Sequence, residues 1–453
     1  MFTIDAVREA LEADLLGERV GIAASFAGVT NDSRVSKPGE LFVALKTEVR
    51  DGHDFIPEAV ARGVAGVVVQ REDILLPEGV WAFLVHNTKH AIGDLALHHR
   101  VSMPARAVAV AGNVGKTTTK ELTAAVLARR YSVLKSPSNF NDEIGLAMTL
   151  FQLTEAHERA VVEVGMFELG EIRRLCEISR PHTAIVLNVG PTHLERLGSL
   201  EAIAAAKAEA VESLPSDGNA VLNADDPYVA AMASKTRARI LTFGVKNHAA
   251  VRATDIRSRG LSGVDFTLTC GGRGFPAHSP LPGAALVYNA LAAVGAAFVE
   301  GMSAEEAAHA LSIAEVPVRL KAVAAINGST VLDDSYNASP ASVLAALGVL
   351  AEMPGRRLAL LGDMLELGRA ETEGHRQVGA AAAGIVDALF TVGPRGPMIA
   401  EAAKQAGAPF VRHFDSKEEA VSVLKQSLET GDVLLVKASH GLALGAVVQE
   451  LLG

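Results

Sequence analysis

Hydrophobic positions along this chain come in two rhythms. Short apolar runs of strand length alternate with longer stretches in which apolar residues return every three to four positions, the spacing of a helix. The alternation is clearest in the middle of the chain. There Ala160-Val-Val-Glu-Val164, Thr183-Ala-Ile-Val-Leu-Asn188, Ala220-Val-Leu-Asn223 and Arg239-Ile-Leu-Thr-Phe243 read as strands, with helical segments such as 200–214 between them. Alternation of this kind predicts an α/β domain built on a doubly wound, mostly parallel sheet. Residues 250–269 change to a short alternating β pattern, an antiparallel extension, and 288–299 and 303–312 read as helices.

Two flanking regions repeat the rhythm. Upstream, Glu40-Leu-Phe-Val-Ala-Leu45, Gly66-Val-Val-Val69 and Trp81-Ala-Phe-Leu-Val85 are strand-like around a helix at 56–62, and 89–99 reads as a helix leading into the middle. Downstream of Val316-Pro317, the strands are Val331-Leu-Asp-Asp334, Arg357-Leu-Ala-Leu-Leu361, Ala388-Leu-Phe-Thr-Val392 and Val433-Leu-Leu-Val436, with a helix at 341–351. The expected division is a small α/β domain over 1–86, a central domain over 87–316 and a third α/β domain over 317–453. A length of 453 residues fits this count at roughly 150 residues per domain.

Composition narrows the class. A hydrophobic fraction of 49% with 21% charged residues is that of a soluble globular protein, and 4% aromatics leaves Ala, Val and Leu to fill the cores. The net charge of −10 argues against coating nucleic acid, although a nucleotide needs only local positive charge. Cys176 and Cys270 are too few for a disulfide framework or a metal cluster and suit a reducing compartment. With no signal peptide and no apolar run of membrane-spanning length, the expectation is a cytoplasmic monomer without stable membrane insertion.

The sharpest chemistry lies in Ala107-Val-Ala-Val-Ala-Gly112-Asn113-Val114-Gly115-Lys116-Thr117-Thr118. An apolar strand delivers a glycine loop ending in Gly-Lys-Thr, and a helix follows. Loop N–H groups and the helix dipole suit phosphate, the lysine neutralises charge, and the threonine hydroxyl suits Mg²⁺. The generic motif places glycine where Val110 stands, so only the shorter Gly-x-x-Gly-Lys-Thr form is present. Glu163 ends an apolar strand and reads as a Mg²⁺ ligand, with a solvent-facing acid as the other reading. His193, in the loop after Asn188, reads as a ligand of a second metal, a phosphate-orienting group, or a structural or merely exposed histidine. Lys207 lies on an alanine-rich helix, where a lone lysine ordinarily marks a solvated face. Residues 135–145, with Asn139 and Asn141, form a polar loop that is either a substrate cradle or only a loop. Asn31-Asp-Ser-Arg34 and Asp51-Gly52-His53-Asp54 carry donors suited to a diphosphate or uridine. Asp333-Asp334-Ser-Tyr336-Asn337 and Gly362–Gly368 close two strands with acids. Arg319 reads either as reaching a γ-phosphate or as a surface arginine.

Taken in order, these stretches resemble the ATP-dependent Mur ligases over nearly the whole chain. The likeness rests on Asp32-Ser33-Arg34, Pro38–Ala44, Asp51–Phe55, 112–121, Asn139–Gly145, Glu163–Met166 with Gly170–Ile172, Asn188–Glu195, Leu222–Pro227, Asp334–Ala338 and Gly362–Gly368. It implies a Rossmann-like third domain and an amide ligase of peptidoglycan precursor synthesis that proceeds through an acyl phosphate. The segment 362–368 and the run 117–121 favour the member that adds D-Ala-D-Ala to UDP-MurNAc-tripeptide; the Asp-Asn-Pro-Arg motif of the tripeptide-forming relative is absent. The resemblance assigns Lys116, Glu163, His193 and a carbamylated Lys207 to catalysis, and Thr117 and Glu163 to one Mg²⁺ with His193 at a second. It assigns Gly112 to Thr118, Asn289, Arg319 and Asp334 to ATP. The peptide and UDP-sugar fall to Ser33, Arg34, Asp51, Gly52, His53, Asn139, Asn141, Tyr336 and Asn337. The chain departs from the family pattern at Asn113, Ala285-Leu286, Val318, Ser339 and Ala438-Ser-His440. A sister ligase with another acceptor and a non-catalytic paralogue that binds nucleotide and UDP-sugar are the alternatives.

Overall fold

A computed structural model describes residues 2–16, 23–47, 49–75, 78–192, 194–317 and 320–452. Beside a two-stranded pairing of Phe2–Thr3 with Ser25–Phe26, three larger sheets follow one another along the chain. The first has five short strands in the order Asp14–Leu15, Trp81–Leu84, Gly66–Val69, Leu41–Val43, Val29–Thr30, parallel except for the antiparallel edge at Asp14–Leu15. Helix Thr88–Val101 then starts where Asn87 accepts hydrogen bonds from the Lys89 and His90 amides, and it packs on helices Glu143–Leu150 and Glu171–Ser179.

The central sheet has nine strands. From one edge these are Arg273–Ser279, Val264–Cys270, Val251–Ser258, Arg239–Gly244, Asn219–Asn223, Pro181–Val186, Arg106–Ala111, Arg159–Glu163 and Val133–Lys135. The first three form the antiparallel extension and the rest run parallel. Strand Arg106–Ala111 shows why the inner strands read as unbroken apolar runs. Ala107, Ala109 and Ala111 join the core on one face while Val108 and Val110 join the core on the other, as in a sheet covered by helices on both sides. The strand lies between Arg159–Glu163 and Pro181–Val186, both later in the chain, so its two neighbours are reached by crossovers on opposite sides. That switch point opens a crevice at the carboxyl ends of the strands.

The third sheet runs Lys321–Ala324, Thr330–Asp333, Val433–Lys437, Arg357–Gly362, Ala388–Val392, Val411–Phe414, with only the first strand antiparallel. The predicted strands appear within two residues of their expected bounds. Two edge strands, Lys321–Ala324 and Val411–Phe414, were not among them, and neither were helices Glu371–Ala383, Gly396–Gln405 and Lys417–Ser427. Edge strands lack a continuous buried run: residues 411–413 are partly or fully exposed and only Phe414 is buried. The expected loop 135–145 is shorter than read. Asp142 accepts a hydrogen bond from the Gly145 amide at 2.7 Å and caps a helix from Glu143.

Candidate active site

The phosphate loop leaves strand Arg106–Ala111 and enters helix Lys116–Leu127. Gly112 and Gly115 have φ of +144° and +90°, and a Cβ on Gly115 would stand 2.5 Å from Asn289 Nδ2. That amide donates to the Gly115 carbonyl at 3.0 Å and to Thr119 Oγ1 at 2.8 Å, so Asn289 clamps the turn into the helix. Gly115→Ala therefore loses the clamp and occupies a left-handed backbone at a cost of about 1–2 kcal/mol. Thermal unfolding should show the lower Tm, and ADP binding should weaken with it; an unchanged Tm would contradict this packing.

Asn188, which follows strand Pro181–Val186, organises the other half of the loop. Its Oδ1 accepts the amides of Asn113 and Val114 at 3.1 and 2.9 Å, and its Nδ2 donates to the Val114 carbonyl at 2.9 Å. The Asn113 and Val114 amides, read from sequence as phosphate donors, are thus committed to Asn188. Donors for phosphate fall instead to the first turn of the helix, whose N–H groups have no partner within a helix. Asn113 takes a second task. Its Nδ2 donates to the carbonyls of Gly190 and Thr192 at 3.0 and 3.2 Å, tying the loop before position 193 to the phosphate loop. His193 and Arg319 lie outside the described residues.

Glu163 closes the neighbouring strand, in register with Val110. It is 2% exposed, and its described partners are two neutral donors: Thr117 Oγ1 at 2.8 Å and Asn141 Nδ2 at 2.9 Å. A buried carboxylate with neutral hydrogen-bond donors on both oxygens is a site that a cation can complete. The Thr117 hydroxyl beside it completes a hard-oxygen donor pair of the kind Mg²⁺ prefers. Lys116 reaches back over the loop to the Asn113 carbonyl at 3.2 Å.

Lys207 overturns its solvated-face reading. It is 1% exposed on helix Leu200–Glu212. Burial pushes its ammonium well below the ordinary lysine range; the charge on Lys116 adds to this and Glu163 opposes it. Both groups thus lie within electrostatic reach. The alanines around it, Ala206, Ala208 and Ala210, are buried as well, so this face of the helix packs inward. The same alanines that suggested an exposed lysine were the available sign of that packing.

A cleft of about 720 Å³ adjoins the phosphate loop and Glu163, and Lys207 is not among its lining residues. Val114 to Thr118, Asn139, Asn141 and Glu163 line one side, and Asp334, Tyr336 and Asn337 of the third sheet's loops line the other. Leu281, Pro282, Ala285 and Leu286 add an apolar wall. The sequence reading missed Lys437, which ends its strand as Glu163 does. It is 2% exposed and donates to Asp334 Oδ2 at 2.6 Å and to the Asn337 carbonyl at 2.8 Å. The charge ending the apolar run Val433–Lys437 was the signal. Ser439 joins two further loops: its Oγ accepts the Leu365 amide at 2.9 Å and donates to the Ala338 carbonyl at 3.3 Å.

The first-domain candidates stand apart. Among the described residues, none of Ser33, Arg34, Asp51, Gly52 or His53 lines this cleft; Lys89 and His90 do, from the helix that follows the domain. Ser33 is buried and donates to Glu58 Oε2 at 2.7 Å, and His53 is buried between the Asp51 carboxylate and the Gln70 amide. Gly52 packs its Cα against the Leu45 backbone. Only Arg34, paired with Asp32, and part of Asp51 face outward.

Family models match three successive stretches: the Mur ligase family catalytic domain over residues 25–123, the Mur ligase middle domain over 110–297, and the Mur ligase glutamate ligase domain over 318–440. The UDP-N-acetylmuramoyl-tripeptide–D-alanyl-D-alanine ligase of Bacillus subtilis (strain 168) is 36% identical over 94% of this chain and 93% of the relative. MurF from Acinetobacter baumannii superposes with a TM-score of 0.90 at 28% identity, covering 99% of this chain and 98% of the other. MurF ligase from Thermotoga maritima, solved in complex with ADP, superposes with a TM-score of 0.83 at 27% identity, covering 93% and 96%. Three Mur ligase family models together span most of the chain, relatives match it over nearly its whole length, and the chain belongs to the Mur ligase family.

Proposed function

We propose that this chain joins D-alanyl-D-alanine to UDP-N-acetylmuramoyl-tripeptide, the ligation named for its relatives, with conversion of ATP to ADP and phosphate. The observation that carries the reading is the cleft itself. Lys116, Thr117 and Glu163 stand on one wall and the Asp334–Lys437 pair on the other, with Lys207 buried behind. The adenine fits the apolar wall of Leu281, Pro282, Ala285 and Leu286, and the phosphates fit the first turn of helix Lys116–Leu127. A carboxylate oxygen of the tripeptide attacks the γ-phosphorus and ADP leaves. Lys116 and the helix amides stabilise the charge that spreads over the transferring group. The dipeptide amine then attacks the acyl carbonyl, and phosphate departs with the oxygen it took from the carboxylate.

Thr117 and Glu163 are the residues that would hold Mg²⁺, with His193 as a further candidate; the ion, when bound, neutralises phosphate charge and polarises the γ-phosphoryl group. Burial and the charge on Lys116 depress the Lys207 ammonium and so favour the neutral amine that CO₂ requires to form a carbamate with release of a proton. Carbamylation would turn a buried base into an anion facing Lys116. Arg34 and Asp51 remain the candidates for the UDP-sugar on the first domain, and closure of that domain would bring them nearer the cleft. Tyr336, its ring 5.7 Å from that of His440, lies on the acceptor side. Among the described residues no helix is long and apolar enough to cross a membrane. We place the protein in the cytoplasm as a monomer, where ATP and nucleotide-linked precursors occur.

The test is phosphate release by purified protein with ATP, Mg²⁺ and UDP-MurNAc-tripeptide, with and without D-Ala-D-Ala. Release that requires D-Ala-D-Ala supports the reading. Release only with another acceptor moves the chain to a sister ligase, and no release with any acceptor removes the enzyme reading.

A further inference from the structure

Lys120 is absent from the mechanism above, yet it is one of the largest fully buried side chains in the protein. It lies on the phosphate-loop helix and turns away from the loop. Its Nζ donates to the carbonyls of Ser136 and Ser138 at 2.6 and 2.7 Å and pairs with Glu121 Oε1 at 3.0 Å. An ammonium has three N–H donors, and these three acceptors account for all of them. Burial alone would raise the Glu121 carboxyl, but Lys135 and Lys120 outweigh it and hold it below its ordinary value, so the buried cation keeps an anionic partner.

The segment that Lys120 grips leads to Glu163. Ser136 Oγ accepts the Glu163 amide at 3.2 Å. Ser138 has φ of +44°, a conformation that L side chains rarely adopt and that its surroundings must impose. Three residues on, Asn141 donates to Glu163 Oε1 at 2.9 Å and accepts the Gly165 amide at 2.8 Å. Glu163 is therefore held from its own amide, from its carboxylate and from the residue two positions later, all by one short segment. The segment's backbone is drawn toward the phosphate-loop helix by a single ammonium.

We propose that Lys120 is a positioning residue for the metal-holding carboxylate: through the backbone of 136–138 it sets where Asn141 places Glu163 against Thr117. The proposal rests on the reading of Glu163 as the Mg²⁺ residue. Lys116 and Lys120 thus divide the work of one helix. The first faces the transferring phosphoryl group, and the second fixes the carboxylate beside it.

Lys120→Met keeps the length and apolar stem and removes the donors. It raises the half-saturating Mg²⁺ concentration for ADP formation about tenfold, as loss of groups that orient a ligand does. KM for the acceptor dipeptide stays near wild type. Lys120→Arg restores a cation with donors and lies between the two. In the metal-free protein, hydrogen–deuterium exchange at 136–142 and 163–165 becomes faster in Lys120→Met while exchange in the third domain is unchanged. A folded Lys120→Met with the wild-type Mg²⁺ requirement and wild-type exchange at these segments overturns the proposal. So does a loss of activity that only follows the folded fraction. If Lys120→Met does not fold, an unchanged Mg²⁺ requirement in Lys120→Arg overturns it equally. Glu163→Ala separates the two readings: if it keeps the wild-type Mg²⁺ requirement, the reading of Glu163 fails, whereas the exchange result still tests the Lys120 tether.

Discussion

Lys116→Ala should form ADP about 10³-fold more slowly than the wild-type chain while keeping its Tm within about 3 °C. The two halves of that expectation have different origins. Within the fold, the Lys116 ammonium makes one described hydrogen bond, to the Asn113 carbonyl at 3.2 Å, in a partly buried setting. A contact of that kind contributes about 0.5–1.5 kcal/mol to stability. During phosphoryl transfer the same ammonium meets charge spreading over the γ-phosphoryl oxygens, where a preorganised cation is worth far more. Removing Lys116 also removes a positive neighbour of Lys207, which slightly relaxes the buried amine. Turnover by Lys116→Ala at a rate close to wild type would refute the phosphate-loop assignment.

Lys207→Met should stop turnover and yet stabilise the protein. Burial first, and Lys116 second, hold the Lys207 amine well below its ordinary range. The unfolded chain retains the ordinary value. Between the depressed folded value and the unfolded value the unfolded state binds more protons, so stability rises with pH through that window and the full penalty applies below it. Met fills a similar volume with no amine to desolvate. In metal-free, CO₂-free buffer near neutral pH, the Met variant should melt about 2 °C or more above wild type, with the gap closing as pH approaches the unfolded lysine value. A wild-type protein that melts higher than Lys207→Met at neutral pH would show that the amine is satisfied in place. Full turnover by the variant would remove Lys207 from the chemistry.

The pair illustrates which parts of the site the sequence exposes. The phosphate loop is legible because local order carries it: an apolar strand, two glycines with positive φ, and a helix start, all within 106–127. Glu163 is legible for the same reason, as an acid that interrupts an apolar run. Lys207 enters only through the family resemblance and Lys120 not at all, because burial of a helical lysine depends on what packs against that face. The helix of Lys207 packs on helix Glu171–Ser179 and on the central sheet, and Lys120 is held by the backbone of 136–138. Position in a motif does not show what a side chain touches. Ser33 and His53 sit in stretches suited to a nucleotide-sugar, but their side chains are used inside the first domain by Glu58, Asp51 and the Gln70 amide. Edge strands such as Val411–Phe414 were hidden because one exposed side erases the continuous apolar signal.

The fate of one oxygen tests the central claim most directly. UDP-MurNAc-tripeptide carrying ¹⁸O in both oxygens of its terminal carboxylate is incubated with the protein, ATP, Mg²⁺ and D-Ala-D-Ala, and the phosphate and peptide products are weighed by mass spectrometry. Passage through an acyl phosphate predicts one ¹⁸O in each released phosphate and one retained in the new amide carbonyl. Unlabelled phosphate with no peptide product would mean that ATP is hydrolysed by water, and the ligase reading of this cleft would be wrong.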